Sequence, residues 1–398
     1  MGAVFWDWVN LFLRWSHVML GIAWIGTSFH FIWLDASLRR EEGQPEGVSG
    51  GSWMVHGGGF YHARKFLVAP AALPKELHWF KYEAYFTWVS GFLLLAVVYY
   101  LGANEFLIDP PVMALSPTAA IAISMGSLIT GWICYDQLCR SPIGQRTGPL
   151  AVGVFILAVG AAYAFSQVFS GRAAFLHVGA LLGTIMVANV FFIIIPNQKN
   201  VVADLIAGRA PDPALGQQAK QRSLHNNYLT LPVVLMMLSN HYPMLYARDD
   251  NWLYVAGVLV LGGLVRHYIN SKDTGITGWW LDWLLPVAAV LAVVLIVSTM
   301  DFASPELPAN APPVTLAEVE YIFQQRCQAC HSAHPTDPGY KAPPKGIAFD
   351  TPDEIRRYAP VIERMAVLTR AMPLGNKTGM TEQERAILGR WLEEQTKE

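Results

Sequence analysis

Hydrophobic and polar positions divide the chain into a long apolar part and a short polar one. Apolar stretches of spanning length, about 20 residues, recur at 9–34, 82–101, 116–138, 149–169, 173–196, 224–246, 252–270 and 279–300. The third and fourth are the most uniformly apolar and the sixth is the most polar. The pattern predicts eight transmembrane helices within residues 1–300. Residues 301–314 carry four prolines and no apolar period, which predicts a semi-rigid linker. Beyond it the period becomes that of amphipathic soluble helices. Thr315 with Glu318 forms a capping-box pattern ahead of Val319, Ile322 and Phe323. Thr381 with Glu384 repeats the pattern ahead of Ala386, Ile387, Leu388, Trp391 and Leu392.

The longest interruption in the apolar part is 35–81. Its Gly43–Gly47 and Gly50-Gly51 pieces read as turns. Residues 57–70, which mix aromatics with Arg64 and Lys65, read as an interfacial segment, with a lid or substrate-binding loop as the alternative. The first apolar run contains Arg14 and is followed by no small-residue cleavage site, so it reads as a retained span.

Composition agrees with this division. The chain of 398 residues is 53% hydrophobic and 15% charged, against roughly 25% charged for ordinary soluble domains. Residues 1–300 hold 17 of the 28 Lys and Arg. The net charge of -2 gives no footprint for nucleic acid. The cations are distributed unevenly among the connections. Those at 35–81, 139–148, 197–223 and after the seventh span hold fourteen, counting Arg266 just inside that span, while the alternate ones hold only Arg172 and Arg248. The positive-inside rule then puts the four basic loops in the cytoplasm and both termini on the opposite side.

The polar C-terminal part contains Cys327-Gln328-Ala329-Cys330-His331. C-x-x-C-H is the attachment signal for a c-type haem: two thiols on one helical turn form thioethers, and the histidine is an axial iron ligand. Met372, before Pro373 on an irregular stretch, is the expected sixth ligand, ahead of Met365, Met380 and His334. The fold class expected is therefore all-α. A polytopic membrane bundle of about eight helices (1–300) leads through the linker (301–314) to a small α-helical cytochrome c domain (315–398). The motif falls on the non-cytoplasmic side, where such haem is attached. Cys134 and Cys139 read as buried thiols.

Ionisable groups within spans mark function by default. By depth, His17, His177 and His241 lie near the outer side and His30, His225 and His267 near the inner side. An outer site built from His17, His177 and His241, with Asn240 beside them, is the expected catalytic centre. Trp24, His225, Asn226, Asn227 and Arg14 are the expected substrate contacts. An inner pocket near His30, His225 and His267 is the alternative, which would need electrons to cross the bilayer. His17 and His30 are thirteen residues apart, about 20 Å along a helix, which suits a pair of b haems. They also point roughly 140° apart around it, which argues against such a pair.

Several stretches together resemble a known family, the bacterial membrane-bound urate oxidases with a fused C-terminal cytochrome c. They are Trp15-Ser16-His17 with Gly21–Gly26 and Phe29–Leu34, Asn189–Asn197, His225-Asn226-Asn227-Tyr228, and Ser239-Asn240-His241-Tyr242-Pro243. The resemblance covers essentially the whole chain. It implies an enzyme of the bacterial inner membrane with its cytochrome domain in the periplasm. It also implies oxidation of urate to 5-hydroxyisourate, with electrons leaving through one covalent haem c to an external cytochrome c. The competing readings are a non-catalytic membrane-anchored electron carrier and a subunit of a quinol–cytochrome c oxidoreductase.

Overall fold

A computed structural model describes residues 3–40, 42–45, 47–66, 76–300, 307–308, 310–337 and 340–395. The chain is an all-α fold with one hairpin. Helix α1 (Ala3–Ser37) leads into strands β1 (Val48–His56) and β2 (Gly59–Phe66), then α2 (Tyr82–Leu95), which continues as a π-helical turn to Tyr100. There follow α3 (Pro117–Arg140), α4 (Thr147–Ser166), α5 (Gly171–Ala188) running through a π-helical segment into α6 (Ile195–Ile206), and α7 (Pro213–Leu238). The short α8 (Pro243–Tyr246), α9 (Asn251–Asp273), α10 (Trp279–Asp282) and α11 (Leu284–Ser298) complete the bundle. Among the described residues, seven helices are long and apolar enough to cross a membrane. Their outer faces carry exposed Ile129, Ile133, Val290, Val293 and Val297, which suits a lipid surround.

The sixth expected span needs correction. Its helix runs over Pro213–Leu238 rather than 224–246, and it is not among the seven. Asp212 caps its start by accepting from the Ala214 N–H, and Pro213 fills N1. At the other end the chain turns through a 3₁₀ segment, Ser239–His241, before Pro243. The helix is polar because its partners are polar: it packs between α5 and α9 and spends its amide side chains inside the bundle. Pro232 within it is accommodated by Gly262 of α9, where a Cβ would lie 2.6 Å from the proline Cδ.

The 35–81 connection forms an antiparallel hairpin in its described part, with Trp53 opposite His62 and His56 opposite Gly59. Gly57 and Gly58 both have positive φ, as a tight two-residue hairpin turn requires. The interfacial segment read over 57–70 is thus strand β2 as far as Phe66; 67–70 and Lys75 lie outside the described residues. The hairpin is tied to α1 by the Lys65–Asp35 ion pair and the Arg39–Gly51 bridge.

Of the linker expected at 301–314, residues 301–306 and 309 lie outside the described set. After it, α12 (Leu316–Arg326), α13 (Pro352–Arg357), α14 (Ala359–Ile362) and α15 (Glu382–Gln395) build a second apolar core. Val319, Ile322 and Phe323 of α12 meet Leu388, Trp391 and Leu392 of α15 there. Both expected capping patterns form: Glu318 N donates to Thr315 Oγ1 and Glu384 N to Thr381 Oγ1. A third box, Thr351 with Glu354, opens α13.

Candidate functional site

The second core encloses an apolar cavity of about 1190 Å³ including its mouth. Cys327, Cys330, His331, Met365 and Met372 all line it, with Phe323, Phe349 and Ile362. His331 is oriented by a hydrogen bond between Nδ1 and the Ile347 carbonyl, 2.8 Å, which directs Nε2 away from that partner. Phe349 lies against the ring at 5.1 Å and its N–H donates to the His331 carbonyl. Burial pushes the Cys327 thiol up to about 12, so the free side chain is a neutral thiol and no nucleophile. Met372 is held through its backbone: its N–H donates to Met365 O, and its carbonyl accepts from Arg385 at 2.9 Å. Met380 is buried in the core and His334 is not in the lining. An apolar hollow lined by two thiols, an oriented imidazole and a thioether has the donor set a c-type haem needs. Met365 shares the lining and is the rival to Met372.

Glu105, from the turn after α2, also lines this cavity. It accepts from Lys377 Nζ at 3.1 Å, and Lys377 pairs with Asp337 at 2.8 Å. Burial would lower the Lys377 ammonium, but the hydrogen bonds to Asp337 and Glu105 outweigh it and hold it above its ordinary value. Asp109 nearby is pushed up by burial, with the Arg385 guanidinium pulling it back. The bundle end that carries the chain turns at Ser170, Tyr246 and Ser298 therefore abuts the cavity.

At that end Phe106, next to Glu105, packs edge-on against Tyr99 at 6.1 Å, and the Arg172 guanidinium lies over its other neighbourhood, 5.3 Å from the ring centroid. Tyr99 donates to Asn240 Oδ1 at 2.6 Å and Arg172 Nε donates to the same oxygen at 3.1 Å. No carboxylate pairs with Arg172 among the described residues. Asn240 Oδ1 thus takes two donors from the protein itself. The three outer histidines, however, do not converge. His177 is fully buried, with Nδ1 on Ala173 O and Nε2 on Ser124 Oγ, both at 2.7 Å, so neither ring nitrogen is left for a substrate. His17 faces α2, bonded to the Thr87 carbonyl and Ser90. His241 is exposed on the 3₁₀ turn beside Asn240. Arg14 is exposed and bonded to Asn10 one turn back.

The remaining expected contacts gather at the far end. His225 Nδ1 meets Tyr135 OH at 2.7 Å, and Asn189 Nδ2 reaches Tyr135 OH and Asn226 Oδ1. Arg222 donates to Asp136 at 2.7 Å and to Asn189. Asn227 is bound by Arg266 and Asn270. Trp24 is partly buried and packs against two apolar clusters. The expected set is therefore split between the two ends. Arg172 and Tyr99 were missed from sequence: the first reads as a lone loop cation, the second as one aromatic among many.

Seven helices long and apolar enough to cross a membrane, with amide and guanidinium networks at both ends of the bundle, define the class as a polytopic helix bundle. The urate oxidase N-terminal family model matches residues 3–299, most of the chain. The protein belongs to that family, which ties it to the oxidation of urate. No curated protein and no solved structure matches it.

Proposed function

We propose that the chain is a membrane-bound urate oxidase of the bacterial inner membrane. Its C-terminal domain, on the periplasmic side, passes electrons through a covalent haem c to an external cytochrome c. The observation that carries this reading is Glu105. It lines the cavity of the C-terminal core. Its neighbour Phe106 packs on Tyr99 and Arg172, the polar group at the adjoining bundle end.

Urate is a planar anion near neutral pH. Its conversion to 5-hydroxyisourate adds one water and releases two electrons and two protons. Arg172 supplies the charge complement, since its guanidinium has a neutral partner, Asn240, and no carboxylate. Asn240 and Tyr99 present amide and phenol groups to ring carbonyl and N–H edges. His241, exposed beside Asn240, is an imidazole that can take a proton from the substrate or the attacking water. Cys327, Cys330, His331 and Met372 are the residues that would hold a haem c, which would supply a one-electron acceptor. Arg385 keeps Met372 in place through its carbonyl.

The test is anaerobic addition of urate to the purified holoprotein. The expected result is reduction of the haem c absorbance without any partner, lost in Arg172→Gln. A haem that stays oxidised with excess urate overturns the reading.

A further inference from the structure

The far end of the bundle holds two buried arginines with different charge balance. Arg222 is neutralised by Asp136, which also accepts from Arg140 at 2.6 Å. Arg266 of α9 has no such partner. Only 4% of it is exposed, and its hydrogen bonds go to neutral oxygens: Nε to Asn227 Oδ1 at 3.2 Å and one terminal nitrogen to Asn270 Oδ1 at 2.9 Å. Phe29 of α1 lies beneath its guanidinium, 4.1 Å to the ring centroid. No ion pair reaches it among the described residues. A charge removed from water without a counter-charge is costly, and more so in a membrane-spanning helix.

Asn227 adds an independent observation. It is fully buried, and its Oδ1 takes both the Arg266 and the Asn270 donors, which fixes the orientation of its amide. Its Nδ2 has no partner. An orphan buried donor is a net cost to the folded state unless a ligand supplies its acceptor. The site therefore has spare N–H groups on both Arg266 and Asn227, no direct acceptor for them among the described residues, and a buried guanidinium whose charged neighbour, Asp273, stands off without forming an ion pair. Two aromatic side chains adjoin the guanidinium, Phe29 beneath it and Tyr228 close enough to act on its charge.

We propose that Arg266 and Asn227 form a binding site for a small planar organic anion at the end of the bundle remote from the C-terminal domain, separate from the site of oxidation. The anion supplies a counter-charge in direct contact with the guanidinium and the acceptor for Asn227 Nδ2, and Phe29 forms part of its wall. Urate is the probe, a choice that rests on the functional reading above.

The experiment measures the stoichiometry of radiolabelled urate on holoprotein in phosphatidylcholine nanodiscs. Two urates per chain are expected. Arg266→Gln and Asn227→Asp should each bind one, and Arg172→Gln should keep the Arg266 site. Asn227→Asp supplies the counter-charge internally, so its melting temperature should be no lower than that of the unsubstituted protein even if Arg266→Gln folds poorly. Retention of two urates by Asn227→Asp overturns the proposal, as does a single urate lost only in Arg172→Gln. Native mass spectrometry that finds a phospholipid held at one per chain and released by Asn227→Asp also overturns it. Failure of urate to reduce the haem sinks the oxidase reading while leaving the binding result intact.

Discussion

Lys377 of the C-terminal core and Glu105 of the bundle form an ion pair, Nζ to Oε1 3.1 Å, at the rim of the cavity that Cys327 and Cys330 line. Asp337 holds the same ammonium from the domain side at 2.8 Å. The pair is partly exposed, so about 0–1 kcal/mol is its expected worth by itself. Its value is positional, because it fixes which edge of the cavity faces the bundle. Lys377→Glu places three carboxylates together and should slow urate-driven reduction of the haem by about tenfold, whereas Glu105→Lys combined with Lys377→Glu should restore most of it. Stopped-flow absorbance at two ionic strengths checks this. Rates in Lys377→Glu and Glu105→Lys that match the unsubstituted protein would show that the contact does not set the transfer geometry.

The same cavity predicts a separation between its two methionines. Arg385 holds the Met372 carbonyl and Met365 shares the lining. Loss of a thioether ligand lowers the potential of a haem. Met372→Ala should therefore lower the midpoint by more than about 59 mV, a tenfold change in a one-electron equilibrium. Met365→Ala should leave it within that margin. A pyridine haemochrome spectrum of the same preparations should show haem c alone, and a b-type component would favour the quinol oxidoreductase reading.

Arg172 is predicted to carry substrate affinity. A hydrogen bond to a charged group is worth about 1.5–3 kcal/mol, so Arg172→Gln should cost roughly 10–150-fold in kcat/KM for urate. Tyr99→Phe removes the phenol that donates to Asn240 and should cost less. Steady-state turnover with an external cytochrome c as acceptor measures both. An Arg172→Gln enzyme with unchanged kcat/KM would move the oxidation site away from this end.

What the sequence made legible was local. Cys327–His331, Thr315 with Glu318 and Thr381 with Glu384 are patterns of four or five residues whose geometry is set within one turn, and both capping boxes form. The histidines failed as a cluster for a different reason. Counting along a span gives depth, which placed His17 and His177 alike, but the face each occupies depends on packing against α2 and α3. The start of α7 was hidden because its polar face is satisfied by Asn189, Asp136 and Arg266 from other helices, which hydropathy cannot see. The hairpin was written in Gly57-Gly58 between aromatic runs, but the pairing of its strands is a long-range contact that the local pattern does not spell out.

Acid stability should depend on Glu384. Burial acts to raise its carboxyl, but the Thr381 N–H and the Arg326 guanidinium outweigh it and hold it below the usual carboxylate range. A depressed folded value means the stabilisation is present above the unfolded value, about 4.3, and is lost as pH falls through the folded one. Glu384→Gln should therefore be about 1–2 kcal/mol less stable at pH 7, and the difference should shrink below about pH 4. Chemical unfolding followed by the Trp391 environment or haem absorbance tests it; a gap that persists at pH 3 would assign the loss to packing instead.

The close approach of α7 and α9 gives the last test, and it carries its own control. A Cβ at Gly262 would sit 2.6 Å from Pro232 Cδ, while one at Gly263 meets nothing within 4 Å. Pro232 is buried inside α7 and its ring is rigid, so the helices must part to admit a methyl group. Overpacking of this kind costs about 1–3 kcal/mol. Gly262→Ala should lower the melting temperature in detergent, and Gly263→Ala should hold or raise it, since alanine favours helix by about 1 kcal/mol over glycine. Separation of the helices would also move Asn227 away from Arg266, so Gly262→Ala should weaken urate binding at that end while Gly263→Ala leaves it intact. Equal behaviour of the two variants would mean that Pro232 does not set the spacing between these helices.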